Sequence, residues 1–301
     1  MRSLRGLATM LCLAGAATLA QAGLPRTCAA PEAFSATEQD RLLRIAALVK
    51  DELDASGARL ALVARSGLNL ARFGVRYSHA GISLKASRNA PWSVRQLYFA
   101  CDEQRPSLYD QGLPGFLMGI DDAHEGYLSL LLLPDAEAAA LERSALDDRR
   151  ALALLAADYS ANAYPFSARY QNCNQWLAEL WAATFGALPE AADVPARRVQ
   201  AQAWLRGQGY APPPIEVGAW MALAPFVPWL HQDDHPPEDL ERRVMRTSLP
   251  SAIEAFVQAT VPGAQRLEVC HAGDRVVLRR GWLPIADGCR PAAGDRVVAL
   301  D

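Results

Sequence analysis

Four strand-forming runs precede a helix that begins at a cysteine, and this order constrains the fold more than any other feature of the chain. The runs are RLALVARSG from Arg59, RYSHAGISLK from Arg76, PWSVRQLYFA from Pro91 and EGYLSLLLLP from Glu125. In the third, Trp92, Val94, Gln96 and Tyr98 alternate onto one face. The fourth is apolar enough to lie in the middle of a sheet. Helical patterns surround them. Ser35-Ala36-Thr37-Glu38 is a capping box, and it opens a helix of about 20 residues in which Leu42, Ile45, Ala46, Val49 and Leu53 recur at helical spacing. Gly57 ends it. Asp135 is placed to cap a helix through DAEAAALERSAL, and a second helix is expected around ALALLAADYS. The loop ANAYPFSARYQN then leads to Cys173, and the helix that follows carries Trp176, Leu177, Leu180, Trp181 and Phe185 as one apolar face. Strands and helices in this order predict an α+β fold with an antiparallel sheet.

Beyond residue 188 the texture changes. ARRVQAQAWLRGQG is a helix, APPPIEV is proline-rich, and a long irregular stretch follows. PSAIEAFVQAT reads as helical, and RLEVC, RVVLRR and RVVAL are short strand candidates. The expected organisation is a leader at 1–22, a core at 23–188, and an extension at 189–301. Within that extension, 241–301 reads as a small α+β appendage packed on the core.

The leader sets the compartment. Arg2 and Arg5 form a basic head, Leu7 to Leu19 an apolar run, and Ala20-Gln21-Ala22 a small-residue cleavage site. This is the pattern of a secretory signal peptide cut after Ala22, too short for a membrane span. No later run reaches the roughly 18 continuous apolar residues a span needs, so no stable membrane insertion is expected after cleavage, and the expected location is the periplasm. Loss of two arginines makes the net charge of −3 more negative. The absence of a basic patch argues against nucleic acid as a partner. The apolar fraction of 51% is ample for a packed core in the roughly 280 residues that remain.

Of six cysteines, Cys12 leaves with the leader. Cys28, Cys101, Cys173, Cys270 and Cys289 remain, an odd number in an oxidising compartment, so one thiol is left over. Cys270 and Cys289 bracket RVVLRR and are expected to pair. Cys28 and Cys101 are the second expected pair, which leaves Cys173 free. A free cysteine there is either a buried apolar filler or a nucleophile. A helix N-terminus offers partial positive charge and free N–H groups that favour a thiolate and an oxyanion. Among the histidines, His79 begins a strand between polar Ser78 and small Ala80 and Gly81, where close approach is easy. Gln96 is a polar side chain amid an apolar alternation and wants a partner; His79 fits. His231 and His235 have H-x-x-x-H spacing but lie between prolines and lack the glutamate of a zinc protease. No G-x-S-x-G marks a serine nucleophile, no C-x-x-C marks a redox pair, and no metal or cofactor is expected.

Ser78-His79-Ala80-Gly81-Ile82, followed about ninety residues later by YPFSARY and Asn172-Cys173-Asn174-Gln175-Trp176, resembles the circularly permuted branch of the NlpC/P60 (papain-like) superfamily, in which the histidine strand precedes the cysteine helix. The likeness covers residues 58–188. It implies a permuted papain-like core with Cys173 as nucleophile, His79 as base, Gln96 as the residue that orients it and Tyr164 as an aid to the oxyanion. It implies an uncharacterised exported bacterial family of cysteine hydrolases whose substrate is an amide of a cell-wall peptide. A lipid ester or thioester is the second substrate class. A non-enzymatic envelope protein that binds peptide or glycan is the other reading of the same cleft.

Overall fold

The structure is a computed structural model and describes residues 34–100, 103 and 105–300. The leader, Cys12 and the Cys28–Cys101 pairing lie outside the described residues. The chain is α+β, built around an open eight-stranded antiparallel sheet.

Helix α1 (Ala36–Ala55) starts at the expected capping box: Ser35 Oγ accepts from Glu38 N–H, and the Glu38 carboxylate accepts from Ser35 N–H. Its buried stripe is Leu42, Ile45, Ala46, Val49 and Leu53. Gly57, at φ +73°, turns the chain into β1 (Leu60–Arg65). All six β1 residues are buried. Both faces of the sheet are covered, so the strand reads as a continuous apolar run rather than an alternation. Leu60, Leu62 and Ala64 pack on one face, and Ala61 and Val63 on the other with the α1 stripe.

A short 3-10 turn (Ala71–Phe73) leads to β2 (His79–Leu84), β3 (Ser93–Ala100), β4 (Arg105–Gln111), α2 (Leu113–Leu117) and β5 (Glu125–Leu132). Neither β4 nor α2 was legible in the sequence. β4 is an edge strand and carries Pro106, which an edge tolerates and a central position does not. Trp92 departs from expectation. It precedes β3 with φ +67°, is fully buried, and donates from its indole to Asp54 Oδ1 at 2.8 Å.

Helices α3 (Asp135–Leu146) and α4 (Asp148–Leu152) follow. Pro134, not Asp135, occupies the N-cap of α3, so the Asp135 side chain sits inside the first turn without a capping bond. The helix expected through residue 160 ends at Leu152, and the chain runs on irregularly to Cys173. The apolar face of α5 (Cys173–Phe185) packs with α6 (Val194–Gly207) and α8 (Pro250–Thr260) on the sheet face opposite α1 and α2. Between these helices lie β6 (Ile215–Glu216), a 3-10 stretch (Gly218–Phe226), α7 (Pro237–Glu241) and β7 (Val244–Met245). β6 and β7 form a small separate ladder.

The C-terminal segment differs most from expectation. β8 (Gln265–Ala272) pairs along the whole of β5, from Glu125↔Ala272 to Leu132↔Gln265. With β9 (Arg275–Arg280) and β10 (Arg296–Ala299), it continues the sheet in the order β10-β9-β8-β5-β1-β2-β3-β4. The segment read as an appendage therefore supplies part of the main sheet. A disulfide between Cys270 and Cys289 ties β8 to the β9–β10 connection. Among the described residues, no helix is long and apolar enough to cross a membrane.

Candidate active site

Cys173 is the first residue of α5, buried and outside any disulfide. Asn172 is the N-cap, and its side-chain oxygen accepts from Gln175 N–H at 2.8 Å. The same side chain donates to Thr247 Oγ1 at 2.7 Å. Asn174 donates to the carbonyls of Ser78 (3.2 Å) and Ser248 (3.0 Å), and the Gln175 amide donates to the Tyr164 carbonyl (3.2 Å). One turn further along, buried Glu179 accepts from Gln171, Arg198 and Gln202. Arg198 also holds the carbonyls of Ala168 and Tyr170. Asn172, Asn174, Gln175 and Arg198 thus fix the helix end and the loop entering it, and these bonds offset much of the cost of burying so polar a stretch.

His79 opens β2. Its Nε2–H donates to Gln96 Oε1 at 2.5 Å, and the Gln96 amide donates to Gln111 Oε1 at 2.8 Å. With the Gln96 oxygen toward the imidazole and its amide nitrogen toward Gln111, Nε2 carries the ring proton and Nδ1 is the unprotonated acceptor. Gly81 makes this reach possible. A Cβ there would fall 2.6 Å from Val94 Cγ1, 2.8 Å from the Arg95 carbonyl and 3.1 Å from Gln96 Cβ. The Phe116 and Tyr98 rings flank the imidazole at centroid distances of 5.8 and 6.1 Å.

The register of β2 with β3 runs from Leu84↔Ser93 only as far as Ile82↔Arg95. The start of β2 is therefore free of that ladder, and the Ala80 N–H is turned toward the Cys173 sulfur, where it favours the thiolate. Asn174 binds the carbonyl just before His79 and the amide just after it faces the Cys173 sulfur, so the helix end meets β2 on both sides of the histidine.

Cys173 and His79 line one cavity of about 510 Å³. Its wall is largely apolar, with Leu70, Phe73, Val75, Trp220, Met221 and Leu249 among its residues. Burial pushes the thiol up to about 11, against the pull of the Ala80, Asn174 and Cys173 N–H groups and of Arg65. Burial and the neighbouring Arg65 guanidinium push His79 down to about 3, against the Gln96 hydrogen bond. The resting pair is neutral: a thiol and an imidazole with its Nδ1 open.

The structure brings Cys173, His79 and Gln96 to one site. Tyr164 lies elsewhere. Its ring packs against Phe166 and His235, its N–H donates to Asp234, and it is not part of the cavity wall. The tyrosines of that wall are Tyr98 and Tyr159. Tyr159 stacks on Phe99 at 5.0 Å, and burial keeps its phenol protonated well above the usual range. His231 stacks on Tyr170, while His235 packs against Asn162 and Tyr164. Sequence reasoning missed Arg65 and Tyr159. The available signal for Arg65 was a charge closing an otherwise apolar strand; Tyr159 lies in an aperiodic loop and gave none.

Comparison with curated proteins and with solved structures returns no match. A family model matches residues 52–257, which takes in Cys173, His79, Gln96 and Arg65. The chain therefore belongs to the bacterial family described as "Uncharacterized protein conserved in bacteria (DUF2145)".

Proposed function

We propose that this chain is a periplasmic cysteine hydrolase that cleaves an amide bond of a cell-wall peptide by acyl transfer to Cys173. The observation that carries the reading is an unpaired thiol at a helix N-terminus, clamped to the start of β2 and sharing a cavity with a histidine whose tautomer is set by Gln96. The likeness of the two motifs to the permuted NlpC/P60 branch supports the same roles and the amide substrate, by analogy of fold. The basic-head, apolar-run leader supports export.

The Cys173 sulfur attacks the carbonyl carbon as its proton passes to His79 Nδ1. Because the pair rests neutral, proton transfer accompanies attack instead of preceding it. N–H groups at the first turn of α5 receive the oxyanion, and Tyr159, a protonated phenol in the cavity wall, is better situated to assist than Tyr164. The C–N bond then breaks, the imidazolium gives its proton to the leaving amine, and a thioester remains on Cys173. Water activated by His79 hydrolyses it and restores the thiol.

The apolar cavity wall favours one further reading, transfer from a lipid ester or thioester. One experiment separates the readings. The mature protein and Cys173→Ala are incubated with muropeptides and with acyl esters and thioesters, and products are read by mass spectrometry. New amine termini that need Cys173 support the amidase. Cleavage of acyl donors alone supports the second reading. Turnover of neither by folded protein means the cleft binds without catalysing.

A further inference from the structure

Arg65 is a buried cation without a counter-ion among the described residues. It closes β1, is only 6% exposed, and lines the cavity with Cys173 and His79. It is the cross-strand partner of His79, so the two side chains rise from the same face of the sheet. Its Nη1 donates to the Ser66 and Gly119 carbonyls. Its Nε is sealed from water with no partner, and no described residue accepts from Nη2. No carboxylate among the described residues lies within ion-pair distance; Asp121 acts on it only from further away.

The protein makes room for this group. A Cβ at Gly119 would fall 2.3 Å from Nη2 and 2.7 Å from Cζ, and one at Gly67 would fall 2.4 Å from Nη1. The Phe116 ring lies 5.3 Å from Cζ. Two residues without side chains thus cradle a charge that is costly to bury alone. The two occupied bonds both use Nη1. Nε is closed off, which leaves Nη2, without an acceptor among the described residues, as the charged donor for a carboxylate.

We propose that Arg65 binds a carboxylate of the substrate and so sets a carbonyl of the same molecule against Cys173. The substrate class is then an acyl compound bearing a free carboxylate close to the scissile bond. This rests on the nucleophile reading of Cys173, and the test separates the two.

Iodoacetate and iodoacetamide deliver the same carbon to sulfur and differ in the carboxylate. Alkylation of the Cys173 peptide by each is followed by mass spectrometry, in native mature protein and in urea. The expected iodoacetate-to-iodoacetamide rate ratio is about tenfold higher in the native protein than in urea. In Arg65→Met it falls to the urea value, and Arg65→Lys keeps part of it. A guanidinium with only a structural role would slow both reagents in parallel and leave the ratio unmoved. A native ratio equal to that in urea, or one unmoved by Arg65→Met, overturns the assignment. Should Arg65→Met fail to fold, wild-type protection decides. Glutarate should slow iodoacetamide alkylation and glutaramide should not; equal effects overturn the assignment. A native Cys173 inert to both reagents overturns the nucleophile reading itself.

Discussion

His79 Nε2 stands 2.5 Å from Gln96 Oε1, and Gln111 holds the other end of the Gln96 amide at 2.8 Å. The imidazole is thereby presented in one tautomer with Nδ1 free, the form a general base needs. Replacing Gln96 by Leu removes the acceptor without adding charge. Acylation of Cys173 by a p-nitrophenyl ester should fall about 10- to 100-fold, with the far-ultraviolet circular dichroism of the wild type. An unchanged acylation rate would show that Gln96 does not orient the base.

The electrostatics of the pair fix a pH profile. His79, held down to about 3 by burial and Arg65, stays neutral and competent as a base far into acid. The Cys173 thiol, raised to about 11, does not ionise until strongly alkaline pH. Acylation should be flat from about pH 5 to 9, without the inflection near 6.5 of an ordinary imidazole. Gln96→Glu places an anion beside His79 and should move the acid limb upward. A wild-type bell centred near neutrality would mean the pair rests as an ion pair.

Gly81 is the residue that lets Gln96 reach His79. A Cβ there meets Val94 Cγ1 and the Arg95 backbone carbonyl at 2.6 and 2.8 Å, and a carbonyl cannot swing aside as a side chain can. Gly81→Ala should destabilise the protein by about 1–3 kcal/mol in urea titrations and lower acylation more than the fraction unfolded accounts for. Wild-type stability would show that β2 and β3 part at no cost.

His271, on β8, tests the pH dependence of stability away from the site. It is buried, its Nδ1 has no partner, and burial lowers it to about 4. The folded state keeps it neutral, while the unfolded chain binds a proton near ~6.5. Its contribution is therefore intact above that pH and is lost as pH falls from the unfolded value toward 4, by about 1.4 kcal/mol per unit at most. In His271→Gln, stability against urea should fall less steeply over that interval. An identical slope would mean that His271 takes up a proton without unfolding.

Much of this was legible from period and polarity. The strands β1, β2, β3 and β5 and the helices α1, α5 and α8 follow from apolar spacing and a capping box, and Gln96 stood out as a polar residue in an apolar alternation. What was illegible depends on register and distance. Arg65 meets His79 only because β1 and β2 pair as Arg65↔His79, a relation no local pattern encodes. β8 runs along β5 across more than a hundred residues of chain, and its short apolar run looks the same in an appendage. The loop before Cys173 has no period, so Tyr164 and Tyr159 could not be told apart without the cavity.

The most direct measurement is the intact mass of the purified protein after seconds with p-nitrophenyl butyrate, with the site of any adduct mapped by peptide analysis. One butyryl group on Cys173 is the expected result, absent in Cys173→Ala and formed at least about 100-fold more slowly in His79→Ala. A folded protein that gains no acyl group on Cys173, or gains it as fast without His79, would contradict the assignment of the pair as nucleophile and base.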